Sequence, residues 1–268
     1  MANKIGFIGT GNMGGALACA VAKSVGGENI LLADFFEEKA MQLAADTGAC
    51  VSSNEAIAME CSHIFLGVKP QMMADMLGGL KEIFEQRKEK PVLVSMAAGI
   101  CTDKICHMAG GDIPVVRIMP NTPVAVGKGV VLYCSNNIAT EDDRAYVASI
   151  LSQAGYTDEI DEKLIDAASA VSGCGPAFVY MFAESLADGA VACGLPRAKA
   201  LAYASKMIEG SAKLLFESGE HPGVLKDNVC SPGGSTIQGV RKLENGAFRS
   251  DVFEAVVSAY EKTVDLGK

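Results

Sequence analysis

Short apolar, β-branched runs recur through the first 160 residues: "KIGFIG" (4–9), "NILLAD" (29–34), "HIFLGV" (63–68), "PVLVSM" (91–96), "VVRIMP" (115–120) and "GVVLYC" (129–134). Between most of them, apolar positions fall at helical spacing, as in Ala16–Val25, Glu37–Thr47 and Gln71–Glu85. Strands that alternate with helices predict parallel βαβ units and a doubly wound α/β sheet. The short connection "NTPVAVGK" (121–128) predicts an antiparallel edge strand after it. From Glu162 onward the pattern holds no strand. It predicts helices over 176–193, 196–219, 235–244 and 248–265 instead. Pro176 suits a first helical position and Gly219 a stop. The expected organisation is a dinucleotide-binding domain over 1–160 and an all-helical domain over 161–268. The segment "PAFVYMFAESLADGAVAC" (176–193) is apolar on more than one face, which places it inside a domain or at a subunit interface.

Composition narrows the class. Of 268 residues, 49% are hydrophobic and 21% charged, which fits a folded chain with real cores. The net charge of −9 comes with no basic block, so a nucleic-acid partner is not expected. No apolar run is expected to reach membrane-spanning length. The start of the chain reads as a strand entering a motif rather than as a signal peptide, and a cytoplasmic location is expected. Nine cysteines form no C-x-x-C pair, and the three histidines lie far apart, at 63, 107 and 221. That spacing suits free thiols in a reducing compartment and no metal site.

Candidate chemistry begins at "GTGNMG" (9–14), which fits G-x-G-x-x-G. It follows a strand and opens a helix, the context a dinucleotide turn requires. Gly9 permits the tight turn, Gly11 lets a pyrophosphate approach the backbone, and Gly14 lets helix and strand pack closely. Free N–H groups of Asn12 and Met13 at the helix start face the phosphates, with Ile8 and Thr10 beside them. The plain alternative is a flexible glycine turn. Asp34 ends the second strand, 25 positions after Gly9. A carboxylate there accepts hydrogen bonds from ribose hydroxyls and repels a 2′-phosphate, which favours NADH over NADPH. The competing reading is that Asp34 caps the next helix. Two later strand ends, Gly67–Val68–Lys69–Pro70 and Ala97–Ala98–Gly99, should complete the cleft. Lys69 reads as a loop residue or phosphate neighbour rather than as a catalytic group.

A second glycine turn lies in "KDNVCSPGGSTIQGV" (226–240). Pro-Gly-Gly leads into a helix with Ser235 and Thr236 at its first positions. Hydroxyls and unpaired N–H groups there suit a small carboxylate, or form an ordinary capped loop.

Together with that turn, the 6–14 fingerprint, "VRIMPNTP" (116–123), "AVSGCGPAFVY" (170–180), "GLPR" (194–197) and "VCSPGGSTIQGV" (229–240) resemble the Δ1-pyrroline-5-carboxylate reductases over essentially the whole chain. The resemblance implies a Rossmann domain followed by a helical dimerisation domain. It implies reduction of the C=N bond of pyrroline-5-carboxylate by NADH or NADPH, giving L-proline. It also implies a homodimer, with decamers among larger rings of dimers, and an active site between the nicotinamide face of one subunit and the helical domain of its partner. By the same resemblance Thr236 bonds the imine nitrogen. Gly234 and Ser235 cradle the carboxylate, with Ser231 and Asn228 in support. Glu162 reaches the substrate site, and Asn54 contacts the cofactor. Cys174 and Cys230 stand where serine or threonine is usual, and Asp34 where many relatives tolerate a 2′-phosphate. The alternatives are a β-hydroxyacid dehydrogenase-like enzyme, for which Lys199, Lys206 or Lys213 would have to serve, and a nucleotide sensor without catalysis.

Overall fold

The computed structural model describes residues 3–266. They divide into two compact units: one built from residues up to Cys174 together with the chain from Ala259 onward, the other from Gly175–Ser258.

The first unit is an eight-stranded sheet. Its strands are β1 (Ile5–Ile8), β2 (Ile30–Ala33), β3 (Cys50–Val51), β4 (His63–Leu66), β5 (Val92–Ser95), β6 (Val115–Pro120), β7 (Gly129–Ser135) and β8 (Gly155–Glu159). They are ordered β3-β2-β1-β4-β5-β6-β7-β8. All pairs are parallel except β6–β7, where Met119 lies opposite Leu132. The sequence expectation of an antiparallel strand after "NTPVAVGK" is met, but β7 is not the edge. β8 pairs with its outer side, Val131 opposite Thr157. β8 escaped the sequence reading because "GYTDE" is polar and mostly exposed, so it lacks the buried run that marks a central strand.

The central strands β1, β4 and β5 are buried along their whole length, which explains their unbroken apolar runs. Alternate residues feed two cores. Ile5, Phe7, Phe65 and Val94 pack with Leu17 and Val21 of α1 (Asn12–Val25). Phe7 and Phe65 stack with centroids 4.4 Å apart. Ile8, Ile64, Leu66 and Leu93 face the other way. They meet Ile57 of α3 (Asn54–Glu60), Leu77 of α4 (Met73–Gln86) and Ile105 of α5 (Thr102–Met108). α2 (Glu37–Thr47) follows β2, and α6 (Glu141–Ile150) precedes β8. Ile165 of α7 (Ile165–Ser172) packs with Met119, Leu132 and Cys134, so this helix belongs with the sheet.

The second unit holds α8 (Gly175–Ala192), α9 (Arg197–Ser218), α10 (Pro222–Asn228), α11 (Ser235–Asn245) and most of α12 (Phe248–Leu266). The four helices read from the sequence in this part agree with α8, α9, α11 and α12 to within a residue or so at each end. α10, a seven-residue helix, went unread. Side chains this unit buries within one chain are small: Ala187, Ala200 and Ala204. Its large ones stay open, with Met181 68% and Phe216 74% exposed. The 31-residue stretch Glu162–Ala192 is long and apolar enough, by length and composition, to cross a membrane, which corrects the expectation that none would be. The same composition serves a helix that buries its apolar faces against another subunit.

Candidate cofactor and substrate sites

Parallel sheets of this order bind ligands beyond the carboxyl ends of their strands, where the chain direction of the connections reverses. That point lies between β1 and β4. A cavity of about 790 Å³ opens there. Three glycines shape its floor. Gly9 has φ +96°, and a Cβ on it would sit 2.6 Å from the carbonyl carbon of Gly67. A Cβ on Gly14 would lie 2.2 Å from the Gly9 oxygen, and one on Gly67 would lie 2.4 Å from the same oxygen. The ends of β1, α1 and β4 thus meet backbone to backbone, and no side chain fits among them. Gly11 differs: nothing lies within 4 Å of its would-be Cβ, and its φ of −63° suits any residue. Glycine at position 11 leaves room above the turn rather than relieving the fold. No side chain caps α1 there. A pyrophosphate fits this arrangement: open space, close backbone and an uncapped helix amino end.

Of the cofactor residues read from the sequence, Ile8, Gly9, Gly11 and Asp34 line the cavity on one side. Asn54, Gly67, Val68 and Lys69 line it on the other. Thr10 and Asn12 face an adjoining cavity instead. Gly14 sits beneath, as packing. Met13, Pro70 and the Ala97–Gly99 turn are not on the cavity wall. Gly99 holds φ +73° in that turn, and Ala97 is buried. The sequence reading missed Phe35, Phe36, Lys39, Met72 and Met76 on the wall. Phe35 and Phe36 were visible as two adjacent aromatics directly after a strand end, and they are 86% and 59% exposed.

Asp34 is held firmly. Its Oδ2 accepts the Thr10 backbone N–H at 2.6 Å and the Thr10 hydroxyl at 3.0 Å, and its Oδ1 accepts the Phe36 N–H at 3.0 Å. Burial alone would raise its pKa, but these hydrogen bonds outweigh burial and hold the carboxyl below its ordinary value. It is therefore an oriented anion on the cavity wall. It does not bond the first turn of α2, whose capping residue is Phe36.

The second glycine turn lies in the helical unit. Gly234 N–H donates to the Ser231 carbonyl at 2.9 Å, with Pro232 and Gly233 between them and Gly233 at φ +72°. Pro followed by a positive-φ glycine is the signature of a type II turn. It leads to Ser235 and Thr236, the first two residues of α11, which no side chain caps. Asn228 ends α10 just before it. Ser231, Ser235, Thr236 and Asn228 are exposed in the single chain. Lys206 and Lys213 pair with Glu209 and Glu217 on their own helix.

Glu162 lies in the first unit. Its Oε1 accepts the Thr102 N–H at 2.8 Å, its Oε2 accepts the Thr102 hydroxyl at 2.9 Å, and Arg117 approaches at 3.6 Å.

Comparison with known proteins agrees with both halves. Residues 162–266 match the family described as pyrroline-5-carboxylate reductase dimerisation, and residues 4–99 match NADP oxidoreductase, coenzyme F420-dependent. The chain is 40% identical to the pyrroline-5-carboxylate reductase of Escherichia coli K12, covering all of both chains. It is 38% identical to that of Arabidopsis thaliana, covering 99% of this chain and 96% of the other. Among solved structures, the Plasmodium falciparum pyrroline carboxylate reductase with NADP bound superposes with a TM-score of 0.89 at 37% identity, covering both chains fully. The Coxiella burnetii enzyme gives 0.91 at 27% identity, also over both full chains. With relatives this similar from end to end, the chain belongs to the pyrroline-5-carboxylate reductase family.

Proposed function

We propose that this chain reduces the C=N bond of 1-pyrroline-5-carboxylate to give L-proline, with NADH as the preferred cofactor, as a cytoplasmic homodimer able to assemble further into decamers. The functional division follows the sequence reading: residues 1–160 hold the cofactor and 161–268 supply the dimer interface and the substrate turn. The observation that carries the reaction is the pair of glycine turns, each opening an uncapped helix, in a chain 40% identical over its whole length to a named reductase.

The Gly9–Gly14 turn would hold a nicotinamide dinucleotide, whose chemistry when bound would be hydride donation to the carbon of the C=N bond. The backbone of Gly11, Asn12 and Met13 holds its pyrophosphate, and Asp34 accepts hydrogen bonds from its ribose. Val68, Lys69, Pro70 and Ala97–Gly99 border the nicotinamide end, and Asn54 supports the cofactor.

The substrate carboxylate is held by the N–H groups of Gly234 and Ser235 and by the Ser235 hydroxyl, with Ser231 and Asn228 shaping the turn. Thr236 donates its hydroxyl to the ring nitrogen. The C=N carbon accepts a hydride more readily when that nitrogen is protonated, and the amine product keeps the proton. Thr236 orients the ring and passes a proton from water; it need not be a strong acid. Most of the acceleration comes from positioning. Glu162 supports the site by fixing the start of α5 through Thr102, with both carboxylate oxygens occupied.

The preference for NADH rests on Asp34, an oriented carboxylate that accepts ribose hydroxyls and repels a phosphate on the 2′-oxygen. The test is Thr236→Ala in a steady-state assay. Turnover should fall by at least about tenfold with little change in the NADH KM. Wild-type turnover would refute the role given to Thr236.

A further inference from the structure

The cofactor cavity adjoins a second one, of about 500 Å³, between α1 and α2. Gly11 and Lys39 line both. Among the described residues lining the second cavity, Lys39 is the one cation, set against Glu38 and Asp46. Its position is organised by Phe36. The Phe36 N–H holds the Asp34 carboxylate at 3.0 Å, and the Phe36 ring carries the Lys39 ammonium 5.0 Å from its centroid. The Lys39 backbone N–H closes the same turn on the Phe36 carbonyl at 2.9 Å. Phe36 therefore holds an anion on the wall of the first cavity and a cation on the wall that the two cavities share.

NADPH differs from NADH by a phosphate on the ribose 2′-oxygen. With the ribose hydroxyls on Asp34, that phosphate cannot stay beside the carboxylate. The neighbouring space is the α1–α2 groove, and the group at its entrance is Lys39. We infer that Lys39 is the residue on which use of the phosphorylated cofactor depends: its ammonium pairs with the 2′-phosphate of NADPH in this groove. The inference rests on the reading that Asp34 faces the ribose. One ammonium against three nearby carboxylates makes NADPH the weaker cofactor without excluding it.

The test compares the dissociation constant of each cofactor, titrated in the absence of substrate, beside its KM and kcat, in the wild type, Lys39→Met, Lys39→Arg and Asp34→Ser. Methionine keeps an unbranched stem over the Phe36 ring while removing the charge. Lys39→Met should raise the NADPH KM about tenfold, the scale of one charge-assisted hydrogen bond, and move the NADH KM less than about twofold. Lys39→Arg should restore most NADPH use. Added salt should raise the wild-type NADPH KM more steeply than that of Lys39→Met. Equal rises for both cofactors would overturn the inference and make Lys39 a packing residue for the adenine end. No change with either cofactor, or a wild type that cannot use NADPH, would overturn it too. A wild type that prefers NADPH outright, with Asp34→Ser leaving the preference in place, would instead refute the NADH reading and leave the Lys39 comparison to stand or fall alone.

Discussion

Glu162 caps the amino end of α5 from 60 residues away, taking the Thr102 N–H at 2.8 Å and its hydroxyl at 2.9 Å. Behind it Arg117, 3% exposed, bonds Asp166 at 2.8 Å and approaches Glu162 at 3.6 Å. The guanidinium thus joins β6 to α7 and to the turn before it, and through Glu162 to the start of α5. Removing one partner of a buried charge group leaves the others uncompensated. Arg117→Met should destabilise the fold by about 3 kcal/mol, read as a shift in the urea midpoint. A midpoint within about 0.5 kcal/mol of wild type would show that the cluster does not hold these elements together.

The glycine turn makes a paired prediction. Gly14→Ala places a Cβ 2.2 Å from a backbone oxygen that cannot step aside, whereas Gly11→Ala places one in open space. The first should lose about 3 kcal/mol of stability. The second should melt close to wild type yet raise the cofactor KM at least about tenfold, because the methyl stands where the pyrophosphate approaches. Melting curves and cofactor titrations on both variants separate the two roles. Equal melting, or unimpaired cofactor binding by Gly11→Ala, would contradict the assignment.

Those two glycines mark what the sequence could show. The motif and its strand–helix context placed the turn correctly, because β1 and α1 have strong local patterns. The motif assigned Gly11 to the ligand and Gly14 to close packing; what it could not show is that Gly67, more than fifty residues later, meets Gly9 backbone to backbone. The same distance hid Glu162's partner, Thr102. α3 and α5, seven residues each, are too short for a helical repeat to declare itself. Lys39 drew no reading from the sequence, and only the folded turn sets its ammonium over the Phe36 ring.

His63 should make stability fall in mild acid. Its ring is buried against Tyr146, with centroids 4.6 Å apart. Nδ1 lies 3.0 Å from the Ser62 hydroxyl, and Nε2 is buried without a hydrogen-bond partner. Burial pushes its pKa down to about 4, against a mild opposing pull from Asp143. The unfolded chain binds the proton near pH 6.5, so the native state's advantage is complete above that value. It shrinks as pH falls toward 4, by about 2 kcal/mol at pH 5. His63→Phe should remove that part of the slope. An identical pH dependence of the urea midpoint in the two proteins would sink the prediction.

The helical unit, which matches a dimerisation family, leaves an apolar surface, and a second subunit is expected to cover it. Phe178, Met181, Phe182, Phe248 and Val252 line a cavity of about 540 Å³ on it. Met181→Asp should weaken the dimer by at least about tenfold in dissociation constant while leaving the first unit folded and able to bind cofactor. Sedimentation across a concentration series checks this. An unchanged dimer would place the interface elsewhere on the unit.

The central claim is that the two glycine turns serve one reaction. Purified protein is mixed with NADH and pyrroline-5-carboxylate, and cofactor oxidation is followed alongside proline formation. The account predicts one proline formed for each NADH consumed, with a higher kcat/KM for NADH than for NADPH. Cofactor binding without proline formation would contradict it.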